Sequence, residues 1–178
     1  MNKNLNLIKN TMKVVPDFPK KGISFKDITP IFTKPDVLKL TIKEMIKSIK
    51  GLKFDVVVGL ESRGFWFALP IAQALNLPFV PIRKKGKLPR RTVSATYLLE
   101  YGKDTIEIHK YDIKPKSRVL IVDDVVATGG TVLAVKNMMN QLKAKAEHLL
   151  VLGCLEDLPE GPQKLKEAGI TVHNLLKL

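Results

Sequence analysis

The sequence predicts an α/β protein with a mostly parallel central sheet flanked by helices. Apolar runs rich in β-branched residues recur at 54–60, 118–124 and 148–155. They lack polar alternation, as strands covered on both faces do. Helix-like stretches lie between them, at 64–76 and 128–144. A strand–helix rhythm of this kind implies parallel pairing through crossover helices. The 178 residues amount to one domain with a core large enough to need no staples.

The elements follow in order. Residues 3–14 predict a short amphipathic helix, with Leu5, Leu7, Ile8 and Met12 near one face. Residues 15–32 hold three prolines and one glycine among Phe18, Ile23, Phe25, Ile28 and Phe32, and predict an extended but ordered loop. Thr33 as cap, Pro35 in the first turn and Asp36 three residues after the cap predict a helix to about Lys50, ended by Gly51. The run 54–60 is a buried strand, and 64–76 a helix that Pro70 should kink. FVPI (79–82) is a short strand. Residues 92–101 and 104–110 predict a hairpin around Gly102-Lys103. Strands at 118–124 and 148–155 bracket the helix 128–144, and a short helix and ITVHNLL close the chain.

Composition excludes several classes. A single cysteine, Cys154, excludes a disulfide framework and a cysteine-rich zinc site, and suits a reducing compartment. His109, His148 and His173 show no metal-ligand spacing. There is no signal-peptide pattern at the N-terminus and no apolar window of membrane-spanning length, so no membrane association is expected and the cytoplasm is the expected location. Thirty Lys+Arg against 17 Asp+Glu give a net charge of +13. Part of it is diffuse, and reads as ordinary surface lysine. Part is concentrated: Arg83, Lys84, Lys85, Lys87, Arg90 and Arg91 lie within nine residues with no acid among them, which suggests an anionic ligand.

The segment 119–131 carries the most chemistry. A buried strand runs into Asp123 and Asp124, then the small-residue loop Ala127-Thr128-Gly129-Gly130-Thr131, then a helix. Loop amides, two hydroxyls and a helix N-terminus make a cradle for a phosphate monoester. No lysine follows as in a nucleoside-triphosphate loop, and no GxGxxG occurs. Two adjacent carboxylates beside a phosphate cradle suit two adjacent hydroxyls. The ligand read from these residues alone is a ribose 5-phosphate. Gly59 and Ser62 are one residue too far apart for a nucleophile elbow.

This strand–Asp-Asp–ATGGT–helix segment resembles the phosphoribosyl-pyrophosphate (PRPP) signature of the type I phosphoribosyltransferases. VVVGLESRGF (56–65), RKKGKLP (83–89), ATYLLEYG (95–102) and DFPKKGISFKDITPIF (17–32) resemble the purine branch of that family that takes adenine. The resemblance implies the type I phosphoribosyltransferase fold in one domain, with a small N-terminal hood from about 1–32, a core over about 33–178, and a flexible catalytic loop. It implies adenine plus PRPP giving AMP and pyrophosphate, by displacement at the ribose anomeric carbon with Mg²⁺ as cofactor, in a homodimer.

The residue roles it implies are these. Asp123, Asp124 and Ala127 to Thr131 would bind the ribose and 5-phosphate. Glu61, Ser62, Arg63, Arg83, Lys84 and Lys87 would bind pyrophosphate, with Arg63 also acting in catalysis. Glu100, in a lid over 88–101, would handle the N9 proton of the base, with Tyr101 beside it. Ser24, Phe25 and Lys26 would form the base pocket, Phe25 stacking on adenine. Mg²⁺ would ride on the pyrophosphate without direct protein ligands. Lys85, Arg90 and Arg91 take no role from the resemblance.

Two rivals stand beside it. One is a transferase for hypoxanthine, guanine or xanthine, against which the hood and the LEYG segment argue. The other is a PRPP-sensing regulator that binds nucleic acid, favoured by the charge. No helix-turn-helix or winged module is evident, so no specific nucleic-acid partner is expected.

Overall fold

The structure is a computed structural model and describes residues 2–98 and 102–178. In chain order its elements are α1 (Lys3–Thr11), β1 (Lys13–Val15), β2 (Phe25–Asp27), α2 (Thr29–Phe32), α3 (Pro35–Ser48), β3 (Val56–Leu60), α4 (Gly64–Leu75), β4 (Phe79–Lys84), β5 (Thr92–Leu98), β6 (Lys103–His109), β7 (Arg118–Val126), α5 (Gly130–Gln141), β8 (Lys145–Cys154), α6 (Glu160–Glu167) and β9 (Thr171–Lys177).

The main sheet runs β5-β6-β4-β3-β7-β8-β9. The pairs β4-β3, β3-β7, β7-β8 and β8-β9 are parallel, while β6 is antiparallel to both β4 and β5. The sheet is thus parallel in its centre, with an antiparallel hairpin on one edge. Strand alternation builds two cores. On one face Val56, Val58, Ile121, Leu149 and Val151 pack under Val132, Val135 and Met138 of α5 and Leu165 of α6. On the other, Val57, Leu120, Val122, Leu150 and Leu152 meet Ile8 of α1, Ile31 of α2, Met45 of α3 and Phe67 and Ile71 of α4. Both faces are covered, which is why the strands read as unbroken apolar runs.

Several elements differ from their expected form. The first helix stops at Thr11, and residues 13–15 are a strand instead. Val14 and Val15 are β-branched, and Pro16 pushes Val15 out of the helical region. The expected extended loop at 15–32 contains more order than that. Phe25–Asp27 pairs antiparallel with Lys13–Val15, and Thr29–Phe32 forms one helical turn. Asp27 nucleates that turn: its Oδ1 accepts from the Thr29 amide at 2.9 Å and the Thr29 hydroxyl at 2.7 Å. These bonds hold the Asp27 carboxyl below its ordinary range.

Thr33 does not cap α3. The cap position is Lys34, and the Thr33 hydroxyl donates to the Pro30 carbonyl at 3.0 Å, closing α2. Pro35 and Asp36 do occupy the first turn of α3. Helix α4 continues through Pro70 to Leu75. Helix α5 is shorter at both ends than 128–144. Its start is delayed by Gly129, whose φ of 80° is left-handed, and it is followed by Lys143 at φ 57°.

Candidate active site

The carboxyl ends of β3 and β7 are neighbours in the sheet, and the loops that follow them form one site. This is where ligands bind open α/β sheets. After β7, Asp123 and the segment 125–132 line a cavity of about 110 Å³. Helix α5 begins there with no side-chain cap and no acid in its first turn. Its first amides are therefore left for an external acceptor. The Ala127 carbonyl is backed by Gly161 of α6, where a Cβ would run into that oxygen. Only glycine lets α6 approach the loop this closely.

Asp123 is half-buried and faces the cavity, and Asp124 is buried beside it. The Asp124 amide donates to Asp123 Oδ1 at 2.9 Å. Burial first, and the Asp124 charge second, push the Asp123 carboxyl well above its ordinary range. Asp124 Oδ2 lies 2.8 Å from Arg63 Nε as an ion pair, but lacks a hydrogen-bonded partner. The same guanidinium stands 5.4 Å from the centre of the Phe25 ring. Arg63 thus bridges the paired carboxylates after β7 and the aromatic ring of β2.

The loop after β3 carries Glu61, Ser62 and Arg63. The Glu61–Ser62 peptide is cis. Glu61 faces the basic turn. It accepts from Arg83 Nε and Nη2, each at 3.2 Å, and from the Lys84 amide at 2.8 Å. The Arg83 hydrogen bonds hold its carboxyl below the ordinary range despite partial burial. Lys84 Nζ pairs with Asp104 at 3.2 Å, which raises the Lys84 pKa. Lys87 is exposed on the same turn.

The structure therefore brings together Asp123, Asp124, Ala127 to Thr131, Arg63 and Phe25, and places Glu61, Arg83 and Lys84 in one connected group. Ser24 and Lys26 stand apart from Phe25. They alternate with it along the strand direction, and Lys26 lines a separate cavity of about 170 Å³ with Glu156 and Leu178. Glu100 and Tyr101 lie outside the described residues.

Three residues of the site went unnoticed in the sequence. Tyr97 is hydrogen-bonded to Thr131 and reaches Asp104 at 3.4 Å, and burial raises its pKa. Tyr97 and Asp104 are directly opposed across the β5–β6 hairpin. The expected turn at Gly102-Lys103 would not have found them: Lys103 already belongs to β6 and pairs with Leu98, whereas that turn would have set Asp104 opposite Tyr101. Gly161 carried no local signal, because its role depends on a helix 34 positions away in sequence from the loop it abuts. Among the described residues no group of three or more His, Cys, Asp or Glu could hold a metal ion.

Comparisons with known proteins agree with this geometry. The model of the phosphoribosyl transferase domain family matches residues 32–167. The adenine phosphoribosyltransferase of Agathobacter rectalis is 51% identical over 148 residues, covering 83% of this chain and 85% of its own. The crystal structure of adenine phosphoribosyltransferase from Thermoanaerobacter pseudethanolicus superposes with a TM-score of 0.92 at 41% identity, over 98% of this chain and 99% of that one. The Saccharomyces cerevisiae enzyme, complexed with an imino-altritol bisphosphate and adenine, superposes at 0.91 with 38% identity, over 99% and 100%.

Proposed function

We infer the reaction from one premise: the chain belongs to the phosphoribosyl transferase family, in its adenine phosphoribosyltransferase branch. It is an enzyme of purine salvage that joins adenine to the ribose of PRPP, forming AMP and releasing pyrophosphate. The observation that carries this reading at the site is the span of Arg63 from Asp124 to Phe25. It links a ring for a planar base, a cation and a pair of carboxylates beside a phosphate cradle.

The roles follow from the chemistry of each group. Ala127 to Thr131 hold the 5-phosphate through loop amides, hydroxyls and the start of α5. Asp123 and Asp124 accept from the ribose 2- and 3-hydroxyls. Arg63, Arg83, Lys84 and Lys87 take the pyrophosphate, with Glu61 orienting Arg83 and Ser62 lining the loop. A planar guanidinium fits phosphate oxygens in pairs. Phe25 stacks on adenine, an interaction worth about 1–3 kcal/mol. Ser24 and Lys26 flank Phe25 on the hood and steady its strand without touching the base.

Substitution at the anomeric carbon passes through an oxocarbenium-like state while charge builds on the departing pyrophosphate. The cations already placed at that end stabilise the charge as it forms. Mg²⁺, when bound, offsets further charge on the pyrophosphate. The substrate's own oxygens would hold it, with Asp123 and Asp124 as the nearby carboxylates, a hard-oxygen donor set that suits this ion. Glu100 takes the N9 proton as the bond to the base forms, beneath a lid over 88–101 that excludes water, with Tyr101 beside it.

The active form is a homodimer. Trp66 and Leu69, 42% and 56% exposed, offer an apolar face on α4 for a second copy. The reaction is placed in the cytoplasm, in keeping with the one free, half-buried Cys154. Among the described residues no helix is long and apolar enough to cross a membrane.

The test is a product assay with PRPP, Mg²⁺ and each of adenine, hypoxanthine and guanine. Selective AMP formation is expected. Nucleotide from the other bases alone would refute the base assignment, and none from any base, with PRPP still bound, would favour a regulator. In the same assay Glu100→Ala folds normally and loses at least about tenfold in turnover. Unchanged turnover would remove Glu100 from the mechanism.

A further inference from the structure

The turn 83–87 crowds four cations, Arg83, Lys84, Lys85 and Lys87, into five positions. Like charges at this spacing repel, and a turn of such residues would splay unless its backbone were fastened. The fastenings are visible. The Lys84 amide donates to Glu61 at 2.8 Å and the Lys85 amide to the Thr105 carbonyl at 3.0 Å. The Lys87 amide closes on the Lys84 carbonyl at 3.2 Å. That leaves the apex, Gly86, with a φ of 81° and open space around it. Glycine is the residue with the most backbone freedom, so the apex is where the turn should be loosest. Its amide is held by one side chain: Glu107 Oε2 accepts from it at 3.1 Å.

Glu107 is an unusual residue to find there. It is only 9% exposed. It sits on β6 directly opposite Arg83 in register, yet the Arg83 guanidinium turns away to Glu61. Among the described residues Glu107 makes no ion pair. A buried carboxylate without a partner cation is unfavourable, whereas one that accepts from a backbone amide has part of that cost offset. The neighbouring position on the other side, Ser94 of β5, brings no charge.

We propose, on the reading that this turn binds pyrophosphate, that Glu107 is a positioning residue that sets the backbone of the pyrophosphate-binding turn through the Gly86 amide. It touches neither substrate nor reacting atoms. Its carboxylate fixes the apex, and the apex fixes the direction in which Lys85 and Lys87 leave the turn. The hydrogen bond needs an acceptor of this length at this place, and a glutamine oxygen can supply it.

The experiment titrates inorganic pyrophosphate and, separately, ribose 5-phosphate into the wild-type protein and into Glu107→Gln, Glu107→Met and Lys87→Ala. Met keeps the side-chain volume and lacks the acceptor. Gly86 is exposed, so its amide turns to water and Glu107→Met folds. Glu107→Ala is the second acceptor-less variant. The expected result is at least about tenfold weaker pyrophosphate binding in Glu107→Met, with ribose 5-phosphate within about twofold of wild type and Glu107→Gln restored to within about threefold. In steady state the same variant raises KM for PRPP and leaves KM for adenine unchanged. Equal weakening of both ligands in the acceptor-less variants, or failure of Gln to rescue, overturns the positioning role. Pyrophosphate affinity lost in Lys87→Ala but kept in Glu107→Met overturns it alone. Affinity kept in both overturns the pyrophosphate assignment of the turn as well.

Discussion

The loop 127–131 and the turn 83–87 both face anions in the proposed reaction, and they are built in opposite ways. The loop uses no cation. Its donors are amides at the start of α5, uncapped by any side chain and backed rigidly by Gly161. The turn is nearly all cation, and two of its four cations are already occupied: Arg83 by Glu61 and Lys84 by Asp104. The loop is ready for its ligand, because among the described residues no carboxylate has to be displaced from it; its side-chain partner from β5, Tyr97 at Thr131, is neutral. The turn must exchange internal carboxylates for pyrophosphate, so part of its charge is withheld until the substrate arrives. A site that pairs its cations in the resting state avoids the repulsion of a bare cluster. It also leaves interactions to be made late, as the leaving group gathers charge.

The largest expected effect comes from spoiling the rigid side. Gly161→Val drives a side chain into the Ala127 carbonyl and pushes the loop off α6. PRPP binding should weaken by well over about tenfold, the loss of more than 1.4 kcal/mol, while adenine stacking is spared. Kinetics with both substrates varied would measure it. An unchanged KM for PRPP would mean that the loop needs no backing and that the contrast between the two ends is overstated.

A smaller effect concerns Asp123, whose carboxyl is raised by burial and by Asp124. Its contribution to stability is present below the unfolded value near 4 and is lost as pH rises through the folded value. At neutral pH the buried carboxyl therefore costs the unliganded protein stability. Asp123→Asn should raise Tm at pH 7 by roughly 2–4 °C for each kcal/mol relieved, and the gain should fade as pH drops toward 4. PRPP binding should weaken in the same variant. Thermal melts across that pH range check the sign. A lowered Tm at pH 7 would show that Asp123 is held by stabilising contacts instead.

The sequence made the fold legible because its signals were local. Unbroken β-branched strands such as 118–124, and Pro35 and Asp36 in the first turn of α3, each announce an element without reference to the rest of the chain. The hairpin was expected too, but with its turn placed too late, because Lys103 already pairs with Leu98. The phosphate loop was legible for the same reason: carboxylates, small residues and helix start are contiguous. What stayed hidden depends on contacts across the chain. The strand at 13–15 exists because 25–27 pairs with it, and Thr33 serves the turn before it instead of the helix after it. Tyr97, Asp104, Glu107 and Gly161 act on segments they meet only once the sheet has formed. The cluster 83–91 announced an anion site by charge alone, but not that Arg90 is spent on a bidentate pair with Asp112 at 2.7–2.8 Å.

The claim that the basic turn holds charge in reserve rests most directly on Lys84 and Asp104. Asp104→Asn keeps the side chain's size and the oxygen that accepts from the Thr105 amide, and removes the charge that competes for Lys84. An exposed pair of this kind is worth up to about 1 kcal/mol. Calorimetric titration with pyrophosphate should therefore show binding tightened by up to about fivefold relative to wild type. Ribose 5-phosphate, which engages only the preformed loop, should bind unchanged. Weaker pyrophosphate binding in Asp104→Asn would contradict the account, because it would mean that Asp104 presents Lys84 to the ligand instead of withholding it.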